Sequence, residues 1–284
     1  MEFGTGLPMI ALDSPTALRD YAQTAEGAGY SYVSLAGHLL STEPERYPDR
    51  PKPLFVGPYH EPMVTFAYLA AATSTLQFMT SILILPLFPA GLVAKQAAEL
   101  SFVSGGRFQL GVSISWNPYE YQAMGQDIHT RGVRLEEQLA VMKRLWSEAF
   151  VKFEGTFHTL DGVGLNRPLA HPIPLWMGSG TDERVLRRVA KLADGWLPNV
   201  DPEEPMARLR TYLQEEGRDP ATFRFAGRLN AANNDPAEWV STAKRLQGLG
   251  VTHVSVGLPF DLAPAAALDR LTTVRSVLRS ELGI

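Results

Sequence analysis

Short strand-like stretches alternate with helical periodicities eight times along these 284 residues, and no other feature narrows the possible folds as far. The first unit runs from the apolar stretch Phe3 to Leu7 into Ser14-Pro15, a cap residue with proline at the first helical position. Leu18, Tyr21, Ala22, Ala25 and Ala28 then recur at helical spacing, and Gly29 ends the segment. Strands are predicted at Tyr32 to Leu35, Gln77 to Leu85 and Phe108 to Val112. Their helices are Val64 to Thr73, a face of Val93, Ala97, Leu100 and Val103, and a longer face of Leu135, Leu139, Met142 and Trp146. In the second half, strands at Pro174 to Met177, Gly195 to Leu197, Phe223 to Leu229 and Val251 to Gly257 alternate with helices marked by Val189, Leu209, Trp239 and Leu271. Eight such units predict an α/β fold, a (β/α)8 TIM barrel in one domain over residues 1–284. A doubly wound open sheet shows the same alternation and stands as the alternative.

Two connections exceed ordinary loop lengths, Leu39 to Met63 and Val151 to Pro174. Long loops in compact domains are usually functional or disordered. Both leave from element ends that would border the barrel mouth. The first is rich in proline and aromatics, and Tyr47, Phe55, Tyr59 and His60 suggest either a flat, mostly apolar guest or packing of the loop itself.

Composition excludes several classes. With no cysteine there is no disulfide, thiolate metal site, iron–sulfur cluster or cysteine nucleophile. A formal charge of -4 offers no general attraction to nucleic acid or to an anionic membrane. No apolar run is long enough to span a bilayer, and the first twenty residues lack the pattern of a signal peptide. The expectation is a cytoplasmic protein acting on a small molecule.

In a barrel, chemistry sits where strands end and the following loops begin. Here those positions carry His38, Ser81 to Pro86, Ser113 to Asn117, Gly178-Ser179-Gly180, Pro198-Asn199, Arg228 to Asn230 and Pro259. No lysine is present for Schiff-base chemistry, no acid pair for glycoside hydrolysis, and no convergent histidines for a metal. Where the walls hold so little acid–base equipment, a cofactor carries the reaction. The Gly178-Ser179-Gly180 turn suits a phosphate at a helix N-terminus, although read alone a tight turn capped by Thr181 explains it better. Trp116 reads equally as a buried anchor, and His38 as a structural hydrogen-bonding group.

The run TSILILPLFPAGLVAKQAAELSFVSGGRFQLGVSISWNPYEYQAMGQDIHTRGVRLEEQLAVMKRLW resembles the bacterial luciferase-like flavin and deazaflavin oxidoreductases. HPIPLWMGSGTDERVLRRVAKLADGWLP, SYVSLAGHLL and YHEPMVTFAYLAAATSTLQF are similar to further blocks of that superfamily, in the same order. The likeness covers about residues 1 to 200 and is nearest to the subgroup that uses coenzyme F420, a 5-deazaflavin.

That resemblance implies a barrel holding the ring at the strand ends, usually as a homodimer. It implies a non-proline cis peptide at Ser81-Ile82 backing the ring. Ser113 and Ser115, with Trp116 and Asn117 beside them, would contact the ring or its polyol tail. Gly178, Ser179 and Gly180 would hold the phosphate, and no metal site is implied. His38 is then the candidate proton donor. Members acting on sugar phosphates and alcohols often show an Asp-His pair where this chain has Gly37-His38. Those acting on sugar phosphates also have a glutamate where it has Trp116. Loss of those acids points toward reduction of an activated C=C or C=N bond. FMN in the same barrel would instead make a monooxygenase fed by a separate reductase. Phe66, Tyr68 and Leu69 are apolar beyond the needs of one barrel face, which adds to the homodimer expectation.

Overall fold

The computed structural model describes residues 1–8, 14–46, 59–165, 169–259 and 262–283. Tyr47 and Phe55 of the aromatic loop lie outside these residues. The barrel strands are β1 (Glu2–Gly6), β2 (Tyr32–Gly37), β3 (Gln77–Ile84), β4 (Phe108–Ser113), β7 (Leu175–Ser179), β8 (Gly195–Pro198), β9 (Arg224–Asn230) and β10 (His253–Gly257). They close in the order β1-β10-β9-β8-β7-β4-β3-β2, with parallel pairing throughout. Around them lie α1 (Pro15–Ala28), α2 (Pro62–Ala72), α3 (Ala90–Val103), α4 (Pro118–Ala123), α5 (Arg131–Ser147), α6 (Glu183–Leu192), α7 (Glu203–Glu215), α8 (Pro236–Gly248) and α9 (Pro264–Leu282). Closure rules out the open sheet, because β1 pairs with both β2 and β10.

Local chemistry sets the element ends. The Ser14 hydroxyl accepts from the Ala17 amide at 3.2 Å, and Gly29 at φ 85° stops α1 in the left-handed region that glycine tolerates. Outward-facing strand residues pack on the helices, as where Thr5 Oγ1 meets the Tyr21 hydroxyl at 2.8 Å. Inside, Tyr32, Met79, Trp176 and Ala226 form a separate buried cluster. Glycines make room for it: a Cβ at Gly4 would stand 2.2 Å from the Tyr32 ring, and one at Gly195 2.3 Å from the Trp176 ring. Large rings facing glycines thus plug the lower barrel and leave open volume toward the strand C-termini.

Three expectations need correction. The connection from Val151 is not a plain loop, since β5 (Val151–Glu154) and β6 (Thr159–Val163) pair there as an antiparallel hairpin. Val103 is not on the buried face of α3 and is 53% exposed, because the helix ends there. Phe66 and Leu69 are fully buried in the chain's own core, leaving Tyr68 and Val64 as the exposed apolar side chains of α2. The homodimer expectation therefore loses most of the surface it invoked. Among the described residues, no helix is long and apolar enough to cross a membrane.

Candidate functional site

His38 leaves the end of β2, and Glu120 sits on the first turn of α4. Asn117 caps that helix by accepting from the Tyr119 amide at 3.1 Å, and Pro118 fills the first helical position. Asn-Pro-x-Glu has capping-box spacing, and the glutamate meets the cap through the side-chain amide of Asn117. Its Oε2 meets His38 Nδ1 at 2.8 Å and accepts from Asn117 Nδ2 at 3.1 Å. Its Oε1 accepts from the Leu39 amide at 2.9 Å. The side chain is 1% exposed against 23% for His38. Burial pushes the Glu120 carboxyl up, but His38 and the Leu39 and Leu40 amides outweigh it and hold it below the usual carboxylate range. An ionised carboxylate can only accept, so Nδ1 of His38 carries the hydrogen and Nε2 is left for chemistry.

Two aromatic rings flank the imidazole. Tyr59 lies 5.1 Å away between centroids and Trp116 6.5 Å. Burial and the nearby Glu120 charge both push the Tyr59 phenol up. Glu120 was missed in the sequence because it lies within a helix and not at a strand end. Its spacing from Asn117 marks a helix start and nothing more.

Strand β3 shapes the floor. The Ser81-Ile82 peptide is cis, and the register with β4 shifts between Met79 and Leu83. Across that gap Thr80 Oγ1 donates to the Gly111 carbonyl at 2.7 Å and accepts from the Gly111 amide at 2.8 Å. A side chain thereby restores the missing ladder bonds. Gly178 packs directly on the bulge, since a Cβ there would lie 2.7 Å from Ile82 Cγ2. Gly37 closes on the same bulge, 3.0 Å from a would-be Cβ to the Ile82 carbonyl. An aspartate at that position would press on this backbone. Ser113 donates to the Gly178 carbonyl at 2.7 Å, and Ser115, at φ 54°, turns the chain from β4 into α4.

Two cavities open at the strand ends and share Ser81, Leu197 and Arg228. The outer one, about 570 Å³, is lined by His38, Ser81, Ile82, Ser113, Ser115, Trp116, Gly178, Ser179 and Gly180, all singled out in the sequence. Asn117 is 3% exposed and stands behind this lining, where it supports Glu120. Arg188 and Asp182, not among the sequence candidates, also line it, with Arg188 paired to Glu136 at 2.7 Å. The Ser179 hydroxyl is committed to the Gly180 carbonyl and Trp196 Nε1. The cap of α6 is Asp182, not Thr181, and its side chain makes no capping bond. Backbone amides at the start of α6 therefore remain the anion donors of this turn. The inner cavity, about 410 Å³, reaches down the barrel axis to Tyr32, Met79 and Ala226.

Fold and cleft together define a (β/α)8 barrel with two adjoining cavities at its C-terminal mouth. Residues 2–269 match the family model described as luciferase-like monooxygenase, and the chain belongs to that family. A protein of Mycobacterium tuberculosis without an assigned role is 32% identical over 255 residues, covering 86% of each chain. An F420-dependent glucose-6-phosphate dehydrogenase of Kineococcus radiotolerans is 26% identical over 267 residues, 89% of this chain and 76% of that one. Among solved structures, an F420-dependent secondary alcohol dehydrogenase superposes with TM-score 0.82 at 16% identity, covering 98% and 99% of the two chains. The EDTA monooxygenase of Chelativorans sp. BNC1 gives 0.78 at 13% identity, covering 100% and 98%.

Proposed function

We propose that this chain is an F420-dependent oxidoreductase that reduces an activated C=C or C=N bond of a small organic substrate. The observation that carries the reading is the two-chambered mouth, in which one chamber places a carboxylate-held imidazole against a wall of glycine and serine. The outer chamber fits a flat tricycle with an anionic tail. Its volume is within the range of cofactor sites, its floor is the Ser81-Ile82 bulge, and a Cβ at Gly180 would meet nothing within 4 Å. Ser81, Ile82, Ser113 and Ser115 would hold the ring and polyol, and the Gly178–Gly180 turn the phosphate.

When bound, the deazaflavin supplies the hydride. The protein supplies the proton: Glu120 holds Nδ1–H and fixes the ring, and the doubly protonated imidazole gives its Nε2 proton to the atom beside the one receiving hydride, leaving the neutral Nδ1–H ring. His38 then regains its proton from solvent. Likeness to the Kineococcus dehydrogenase over most of the chain supports F420. FMN, with monooxygenase chemistry and a separate reductase, is the second reading, favoured by the family description and by the EDTA monooxygenase superposition.

Calorimetric titration with both cofactors decides the matter. F420 binding at micromolar affinity or tighter, with FMN weaker, is expected. FMN binding without F420 binding overturns the proposal in favour of the second reading, and binding of neither overturns both.

A further inference from the structure

One charged side chain faces the inner cavity. Its lining is otherwise apolar or neutral, with Leu7, Tyr32 and Met79 along the walls and Ser34 and Ser255 among them. Arg228 alone carries charge there among the described residues. It stands near the C-terminal end of β9, in register with Ser255 on β10, and is exposed. Among the described residues its side chain makes no ion pair or hydrogen bond, whereas Arg188 on the outer wall is already committed to Glu136. The outer chamber is lined by Asp182 and Arg188 as well as by the shared Arg228, so an acid offsets positive charge there, whereas no acid lines the inner chamber among the described residues.

A guanidinium stays charged at any working pH and presents a planar fork that matches a carboxylate. A concave site of one sign with apolar walls concentrates its field on whatever enters. Arg228, Ser81 and Leu197 also form the boundary between the chambers.

We infer that the inner cavity is the substrate site, and that its substrate is a mainly apolar molecule bearing one carboxylate or comparable anionic group held by Arg228. The inference rests on reading the outer chamber as the cofactor site. Leu7, Tyr32 and Met79 take the apolar body. The guanidinium orients the molecule so that the bond to be reduced meets the outer chamber.

The test compares 3-phenylpropionate with 3-phenylpropanamide, a pair of the same shape differing in charge, by calorimetry on the full chain. Wild-type protein should bind the carboxylate roughly tenfold more tightly or better, as charge-assisted bonds exceed neutral ones, and added salt should erode only that preference. Arg228→Gln should abolish the preference while leaving amide binding within about threefold, and Arg228→Lys should keep part of it. Equal binding of the two probes, a preference that survives in Arg228→Gln, or no binding of either at millimolar concentration overturns the inference. So does a loss of F420 and FMN affinity in Arg228→Gln beyond tenfold with the carboxylate preference intact, which would assign the arginine to the cofactor. A wild-type protein that binds neither cofactor yet shows the Arg228-dependent preference refutes the cofactor reading alone and leaves the anion site standing.

Discussion

Nδ1 of His38 lies 2.8 Å from Oε2 of Glu120, which is 82 residues further along the chain. Their pairing orients the strand-end imidazole, and in the proposed reaction it would make His38 the proton carrier. His38→Ala should keep cofactor affinity within a few-fold and lower turnover of any substrate the wild type reduces by roughly 10²-fold or more, the usual scale of general acid catalysis. Unchanged turnover would assign the ring to the scaffold.

In the proposed reaction Glu120 would be a positioning residue with its own signature. Because its folded-state carboxyl is held below the ordinary range, it stabilises the fold above about pH 4.3. That contribution is lost as pH falls through the depressed folded value. Glu120→Gln should lower turnover by roughly 10- to 100-fold, a part of the histidine's contribution. It should also flatten the loss of stability in the acid range below that pH. Denaturant melts at several pH values, set beside steady-state rates, check both.

His253 makes a separate pH prediction. It is 4% exposed, edge-on to Trp176 at 4.6 Å, and burial lowers it from 6.5 to about 4, with Arg224 and the N-terminal amine adding to the shift. The unfolded chain takes up this proton below pH 6.5 and the folded chain does not, so stability falls from pH 6.5 to about 4. The group should account for about 3 kcal/mol of that loss. In His253→Asn the slope across this window should shrink, as measured by urea midpoints.

The two glycines of the Gly178–Gly180 turn should behave differently. Gly178→Ala forces a Cβ against Ile82 Cγ2 and should destabilise by about 1–3 kcal/mol, as overpacking does. A Cβ at Gly180 would meet nothing within 4 Å, so Gly180→Leu should keep its melting temperature near wild type while cofactor affinity drops at least about tenfold. Equal effects of the two on affinity and melting would remove the distinction.

Thr80→Val should cost about 2–3 kcal/mol although the two side chains have the same shape. It strands the Gly111 amide and carbonyl, which the hydroxyl satisfies where the β3–β4 register shifts. Thermal unfolding measures it directly.

The barrel was legible from the sequence because its causes are local. Ser14-Pro15 and Gly29 bracket α1, and the 2.0 and 3.6 periods mark which faces are buried. The hairpin β5–β6 escaped because its five-residue second strand is almost wholly exposed and shows no such period. Most of the cavity wall was also legible, since a parallel barrel sends strand ends to one mouth, and so His38, Ser81, Ser113 and Gly178 lie together. What only the tertiary structure decided are relations between residues distant in the chain. Glu120 becomes the partner of His38 because α4 folds back over the end of β2, and no spacing encodes that contact. Phe66 and Leu69 read as surplus surface in the sequence, yet the fold buries both, because a helix's inner face is set by what packs beneath it. Arg228 is one of several arginines in the sequence. It is distinguished by standing without a counter-ion among the described residues, beside an apolar cavity that exists only once eight strands have closed.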